Sequence, residues 1–255
     1  MRVCEPAGAL CIAALLALLP ASAIAGTFDI KGPEVEKDEK ELLTNHTFQS
    51  GFPANADRIR HSFEFVASYA FSERFKGGLK SNFDRPLDDG AHLSTVGIEG
   101  QIFVGSFGPA IAVAWYTGLD VHVHRHDTNT LTFGPLIKFG DDALSLTLNP
   151  LFTHSFGPHR EDGVAFVYAV GLKGALRESL AIGIEAYGTL PDIGDSPSPN
   201  FQDHRIGPVV YIDHDLRPAR GDERATKLSL EIGAFVGLTD AAPDWTGKVK
   251  ATLTW

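Results

Sequence analysis

Three histidines recur at every second residue, His122, His124 and His126. Residues two apart in a strand point to the same side, so these imidazoles would share one face with Asp120. Imidazole nitrogens bind Zn and Cu, but Cα atoms about 7 Å apart let two rings chelate only with favourable rotamers. The pattern leaves two interpretations open, a weak metal site or a solvated, weakly basic rim, and no resident cofactor is predicted.

His92 and Ser94 have the residue types of a nucleophile and its base. Both share parity with Val96 and Ile98, so alternation predicts that they face outward at the end of a strand. The His-x-Ser pair resembles that of outer-membrane phospholipases, and the resemblance implies lipid hydrolysis. The sequence departs from that family because Thr95-Val96 follows the serine instead of Asn-Gly, and no Asn is placed to orient the histidine. We therefore predict no enzyme activity and keep the hydrolase as an alternative.

Charged residues of both signs recur on the polar faces of the alternating stretches. The carboxylates are Glu64, Glu99, Asp120, Glu185, Asp213 and Glu231, and the ammonium groups are Lys76, Lys80, Lys138, Lys173, Lys248 and Lys250. Charges along the wall of a pore filter solutes by sign and size. Alternatively, the same charges pair with one another, fill a narrow barrel and carry nothing.

Alternation with a period of two residues positions these side chains. At the end of the chain one face carries Trp245, Gly247, Val249, Ala251, Leu253 and Trp255, and the other carries Thr246, Lys248, Lys250, Thr252 and Thr254. Such alternation indicates strands, and about ten tilted residues are enough to cross a bilayer. The second faces are rich in Gly, Ala, Ser and Thr, which suits a polar lumen better than a dry core.

About twelve strands are predicted from these stretches. They lie near 35–47, 61–71, 75–84, 92–104, 110–123, 130–139, 144–156, 164–174, 180–189, 204–213, 226–239 and 245–255. The first is mostly charged, and residues 26–34 are read as a possible periplasmic extension. Short and longer connections alternate, as in outer-membrane barrels. The predicted fold is an all-β, transmembrane, antiparallel up-and-down barrel with both termini in the periplasm.

The start of the chain reads as a secretory signal peptide spanning residues 1–25. An apolar run from Ala7 to Pro20 precedes Ala23-Ile24-Ala25, the small-x-small pattern of a cleavage site. The sequence has two cysteines, Cys4 and Cys11, and both lie in this segment. Cleavage would therefore leave residues 26–255 as a barrel without a thiol. The net charge of −10 argues against nucleic acid as a partner.

The end of the chain carries a recognisable pattern, Val249-x-Ala251-x-Leu253-x-Trp255. It resembles the terminal signal of outer-membrane barrel proteins, which implies recognition by the barrel-assembly machinery with periplasmic chaperones. More broadly, the chain resembles small proteobacterial outer-membrane channels, including an uncharacterised barrel family with a charged start like Asp29-Ile-Lys-Gly-Pro33. We therefore expect an outer-membrane location, contact with its lipids and lipopolysaccharide, and passive or weakly selective passage of small polar solutes. A plugged structural or adhesive barrel is the alternative, and the oligomeric state stays open.

Overall fold

The computed structural model describes residues 28–52, 59–124, 128–157, 160, 162–218 and 224–255. The predicted signal peptide, residues 26 and 27, and His126 lie outside the described residues. Among the described residues, no helix is long and apolar enough to cross a membrane. A single 3-10 turn is described, at Pro199–Phe201.

The described chain forms twelve strands in one closed sheet, which confirms the predicted all-β, antiparallel up-and-down barrel. They are β1 Lys40–Ser50, β2 Ile59–Ala70, β3 Phe75–Pro86, β4 His92–Ser106, β5 Ile111–His122, β6 Asn129–Gly140, β7 Leu144–Phe156, β8 Val164–Arg177, β9 Leu180–Leu190, β10 Asp203–Arg217, β11 Thr226–Gly237 and β12 Trp245–Thr254. The predicted start of the first strand, near residue 35, was wrong, because β1 begins at Lys40. Residues 35–39 connect β1 to the segment that precedes it, which lies in the barrel interior.

Every strand pairs antiparallel with its sequence neighbours, and β1 closes the barrel on β12. The closure is completed by two backbone hydrogen bonds, from Lys40 N–H to the Trp255 carbonyl (3.0 Å) and from Trp255 N–H to the Lys40 carbonyl (3.1 Å). A closed sheet leaves no edge strand, so the strands pair their backbone polar groups with one another around the ring, apart from residues at the register shifts. Closure also forces alternate side chains into the lumen or onto the outer surface.

The two ends of the barrel differ in their connections. At one end, the short-turn end, strands are joined through 71–74, 107–110, 141–143, 178–179 and the longer 218–225. At the other, the long-loop end, they are joined through 51–58, 87–91, 123–128, 157–163, 191–202 and 238–244. The first residue of β1 and the last of β12 lie at the short-turn end.

The outer surface is apolar. Large side chains such as Leu79, Ile98, Ile184 and Ile232 are exposed there although they lie within strands. Towards the long-loop end, outward rings follow one another from strand to strand, in the order Trp115, Phe133, Phe152, Phe166, Tyr168 and His204. Tyr69, Phe71 and Phe75 form a second group at the short-turn end. Apolar bands between aromatic girdles are typical of barrels that face lipid.

Leu79→Arg tests whether this outer surface contacts lipid. The Leu79 side chain is 67% exposed and lies beside Ala67 and Ile98 on the neighbouring strands. A lipid-facing Arg near the bilayer midplane costs about 2–4 kcal/mol. We expect a loss of that size in the free energy of unfolding from lipid vesicles, measured by urea titration. Leu79→Met is the control, and equal stability of the two variants would contradict a lipid-facing position.

Candidate functional site in the lumen

An N-terminal segment occupies the lumen. Residues Phe28–Glu34, here called the plug segment, precede β1 and contact inward side chains on opposite walls of the barrel. Glu34 lies nearest the short-turn end, and Phe28 lies deepest. The described part of the predicted N-terminal extension, residues 28–34, therefore lies within the lumen, because the lumen wall offers this segment hydrogen bonds and opposite charges.

Amide side chains of the wall hold the backbone of the plug segment. Asn149 Oδ1 accepts from Lys31 N–H (2.7 Å), and Asn149 Nδ2 donates to the Lys31 carbonyl (2.9 Å). Gln101 Nε2 donates to the Gly32 carbonyl (3.0 Å), and Asn45 Nδ2 donates to the Phe28 carbonyl (3.2 Å). The plug segment has no neighbouring strand, so these side chains satisfy backbone groups that would otherwise lose their partners on leaving water.

Ion pairs connect the plug segment to three parts of the wall. Asp29 lies 2.7 Å from Lys250. Lys31 lies 3.2 Å from Glu99, and Glu34 lies 2.7 Å from Lys138 nearer the short-turn end. A charge removed from water needs such a partner. The plug segment thus supplies countercharges that the wall lacks on its own.

Apolar contacts fix the deepest residue. The Phe28 ring packs edge-on to Tyr187 with centroids 4.8 Å apart, and it stacks with Phe235 at 6.0 Å. Ile30 lies against Gly171, where the Cβ of any larger residue would come within 2.6 Å of the Ile30 Cδ1. Glycine at 171 therefore leaves the space that Ile30 fills.

Lys248 is at the centre of the more buried ionic network. Its ammonium group lies 2.9 Å from Glu185 and 2.8 Å from Glu231, and it donates to the Tyr187 hydroxyl at 3.2 Å. Lys248 is 1% exposed and Glu185 0%. At this level water does not reach the side chains, so the lumen is filled rather than open.

A second network lies on the opposite wall. Lys80 pairs with Asp120 at 2.7 Å, and the Tyr116 hydroxyl donates to Glu99 at 3.0 Å. Glu64 is 2% exposed on the adjacent strand. Lys31 joins this network through Glu99 and the first network through Asp29, which lies 3.1 Å from it. The plug segment therefore couples the two sets of charges.

Arg205 covers the plug segment on the side of the long-loop end. The sequence analysis did not identify this residue. Its guanidinium group lies 4.7 Å from the centre of the Phe28 ring and forms a fork with the Asp203 carboxylate. It also donates to Gln49 at 3.0 Å and to Thr246 at 2.7 Å. Alternation along β10 would have placed Arg205 on the inward face. The same rule would have placed the amides Asn45, Gln101 and Asn149 there.

A cavity of about 440 Å³ lies beside the plug segment and reaches the short-turn end. Ile30, Gly32 and Glu34 form one side of it. The strand walls contribute charges of both signs, which include Lys138, Lys173, Arg177, Asp213, Lys227 and Glu231. The Lys173 ammonium group lies 4.7 Å from the centre of the Tyr211 ring. The cavity thus presents a polar, mixed-charge surface.

The register places all of the predicted lumen charges on inward positions. Besides the networks above, Lys76 lies 3.4 Å from Glu41, and Asp213 accepts from Ser229 at 2.6 Å. The structure therefore brings most of these residues into ion pairs and hydrogen bonds around the plug segment and the cavity. The exceptions among the described residues are Glu64, whose Oε1 is buried without a hydrogen-bond partner, and Lys173, which contacts the Tyr211 ring. The role of the whole set in lining a path for solutes stays a prediction.

At the long-loop end, His122 and His124 have different neighbours. His122 is the partner of Thr95 on the inward face, and His124 packs edge-on to His92 with centroids 5.7 Å apart. Among the described residues, no group of three or more His, Cys, Asp or Glu side chains is placed to hold a metal ion. His126 lies outside the described residues.

The predicted outward direction of His92 and Ser94 was wrong. The register between β3 and β4 shifts beside Asn82, which pairs with Thr95, while Phe83 pairs with Leu93. The extra residue reverses the parity, so His92 is opposite the inward Asp84. Ser94 is buried, and its hydroxyl donates to the Asn82 carbonyl at 3.0 Å. This geometry does not support a serine nucleophile that faces lipid.

Solved structures share this architecture. An outer-membrane channel from Pseudomonas putida F1 aligns with a TM-score of 0.62 at 8% identity, over 89% of this chain and 99% of its own. The chain has the fold of an outer-membrane porin. The NanC porin aligns at 0.54 with 9% identity, over 84% and 98% of the two chains. The KdgM porin, solved in complex with disordered oligogalacturonate, aligns at 0.52 with 10% identity over 84% and 98%.

Comparisons of the sequence, in contrast, give no match. No protein-family model matches this chain, and no curated protein matches it significantly. The porin fold is therefore carried by strand number, closure and pairing rather than by residue identity.

Asn149→Ala tests how the plug segment is held. The substitution removes both hydrogen bonds to Lys31, each worth about 0.5–1.5 kcal/mol. We expect the segment to leave its place roughly ten times more often. The readout is the rate of thiol labelling of a second substitution, Ile30→Cys, in a protein of residues 26–255, which contain no other cysteine.

Asn82→Ala is the matched control for this measurement. Asn82 also faces the lumen, but it donates to Thr95 on the wall (2.7 Å) rather than to the plug segment. Equal labelling rates in the two variants would contradict a holding role for Asn149.

Proposed function

We propose that this chain is an outer-membrane channel for small polar solutes, closed in the described state by its own plug segment. The observation that carries the proposal is a lumen of twelve strands whose filling is completed by a separate segment, residues 28–34. Eight-stranded barrels are filled by wall side chains and sixteen-stranded porins are open. A removable segment in a barrel of intermediate width supports a channel that can open.

The chemistry of the contacts supports displacement of the plug segment. Backbone groups of Lys31 and Gly32 bond to side-chain amides, which water can replace on both partners. The ion pair of Glu34 with Lys138 is partly exposed, so its contribution to stability is small. The segment is therefore anchored strongly around Phe28 and weakly near the short-turn end.

The cavity supports weak selectivity for polar solutes. Ammonium, guanidinium and carboxylate groups all line it, and inward charges of both signs lie on either side of the plug segment. A wall with both signs binds small polar molecules without strongly excluding either anions or cations. At 8–10% identity, the solutes of the structural neighbours are not carried over to this chain.

Export and assembly complete the proposal. The signal peptide would direct secretion with cleavage after Ala25, and the tail ending in Trp255 would recruit the barrel-assembly machinery and periplasmic chaperones. The short-turn end would then face the periplasm and the long-loop end the cell exterior, with outer-membrane lipids and lipopolysaccharide around the apolar band. We propose no catalytic activity.

Deleting residues 26–34 tests the channel directly. Loss of the plug segment should connect the cavity with the lumen on the side of the long-loop end, because Phe28, Asp29 and Lys31 would no longer bridge the walls. We expect higher single-channel conductance in planar bilayers than the mature chain shows. A truncated barrel that folds, resists thermal unfolding on gels and stays silent would reject the channel.

Lys173→Glu tests the selectivity of the cavity. Reversal of this charge beside Tyr211 should shift the zero-current potential of the truncated channel towards cation preference. Lys173→Met should give a smaller shift in the same direction. Arg74→Glu makes the same change of charge in an exposed turn at the short-turn end, and it should leave the potential unchanged. Equal shifts for Lys173→Glu and Arg74→Glu would contradict a path through the cavity.

A plugged structural barrel is the second candidate. It is favoured by the full burial of Lys248 and Glu185, whose pairing holds β9 to β12 across the lumen. Removal of one partner from such a pair costs about 3–5 kcal/mol. Under this alternative, both the mature and the truncated barrel would be stable and silent.

A further inference from the structure

One part of the outer surface combines bases with aromatic rings. The patch lies on β1–β3 near the long-loop end. Register places Phe48, His61 and Arg85 in one row across the three strands, with His46, Phe63 and Phe83 in the next. These six residues, here called the β1–β3 patch, occupy outward positions, since Asn45, Thr47 and Glu64 between them point into the lumen.

The rings of the β1–β3 patch hold one another in place. Phe48 stacks on His61 with centroids 4.4 Å apart and planes within 4°, and Phe63 stacks on Phe83 at 4.6 Å and 4°. His46 Nδ1 lies 3.2 Å from His61 Nε2, and His46 Nε2 bonds to Thr44 Oγ1 at 3.0 Å. The imidazoles are thus fixed in orientation before any ligand arrives.

Arg85 gives the β1–β3 patch its permanent charge. It is exposed at the outer end of β3, directly opposite His61. Within the described part of the chain, no carboxylate lies at ion-pair distance from it. The adjacent Asp84 faces the lumen, where it accepts from Ser62 at 2.7 Å. An exposed guanidinium that has no ion-pair partner among the described residues attracts an anion at the edge of an apolar band.

We propose that the β1–β3 patch binds the phosphorylated head group of lipopolysaccharide. This rests on the proposed function, which places the long-loop end at the outer leaflet. The Arg85 fork matches the geometry of a phosphate monoester, and the His61 imidazole lies opposite it as a further donor. Phe48, Phe63 and Phe83 provide an apolar surface for the acyl chains below the phosphate.

The opposite side of the barrel shows why the site is specific. There two outward residues at the same end, Tyr168 and His204, contact each other and the buried Gln202. The Tyr168 hydroxyl lies 2.9 Å from His204 Nδ1, and His204 Nε2 lies 2.9 Å from Gln202 Oε1. These groups satisfy one another and include no guanidinium. Charge complementarity with a phosphate therefore selects the β1–β3 patch.

Binding of lipid A by the refolded full mature chain in detergent tests this site. Native mass spectrometry would measure retention of diphosphoryl lipid A, with dephosphorylated lipid A and phosphatidylglycerol as alternative ligands. We expect Arg85→Ala to weaken binding roughly tenfold, the effect of one charge-assisted hydrogen bond. His61→Phe, which keeps the ring stack, should weaken binding less.

Lys40→Ala is the matched control. Lys40 is also an exposed outward cation beside an aromatic residue, Tyr69, but it lies at the short-turn end of the same strands. Retention by Lys40→Ala with loss in Arg85→Ala supports the proposal. Equal retention in both, equal binding of phosphatidylglycerol, or a second copy of the chain on this face would overturn it.

Conductance of the truncated barrel, refolded in parallel, separates this proposal from the proposed function. If the truncated barrel conducts while the full mature chain does not retain lipid A, the lipid site alone is refuted. If the full mature chain retains lipid A while the truncated barrel folds and stays silent, the channel alone is refuted.

Discussion

Closure of β1 on β12 is the constraint from which the rest of the structure follows. A chain that pairs all its strands in a ring satisfies its backbone internally and needs no water along the wall. The cost is geometric, since twelve strands enclose more space than their inward side chains fill by themselves. Whatever occupies that space must also neutralise the charges that the inward faces carry.

The plug segment meets both requirements at once. Asp29 and Lys31 each add a charge beside wall residues of the opposite sign, and they connect networks on opposite walls. Amide side chains replace the missing neighbouring strand, while Phe28 fills the apolar gap beneath Arg205. Most of these contacts are polar, and on this rests the proposal that the segment closes a channel that can open. A barrel filled by its own wall side chains has no such separate segment.

The outer surface is apolar where the lumen is charged. Its middle is apolar, and the aromatic rings at its two ends mark the boundaries of that band. At the long-loop end Tyr168 and His204 bond to each other, whereas Arg85 is exposed. This asymmetry between the two sides is the basis for the lipid site proposed on the β1–β3 patch.

Period-two alternation determined the strands, their number and the inward face, because in a strand it depends only on neighbours along the chain. The inward positions of Glu64, Lys173 and Lys248 were readable in this way. The rule gave the wrong face for His92 and Ser94. One extra residue in a bulge there exchanges the inward and outward positions, and amino-acid composition does not reveal it. The inward positions of Asn149 and Arg205 could be read by the same alternation, but the place of residues 28–34 and the contacts of these two side chains were decided by tertiary structure. Their partners lie across the lumen, more than a hundred residues away for the pair of Lys31 and Asn149, and no local pattern encodes a contact that exists only after the ring has closed.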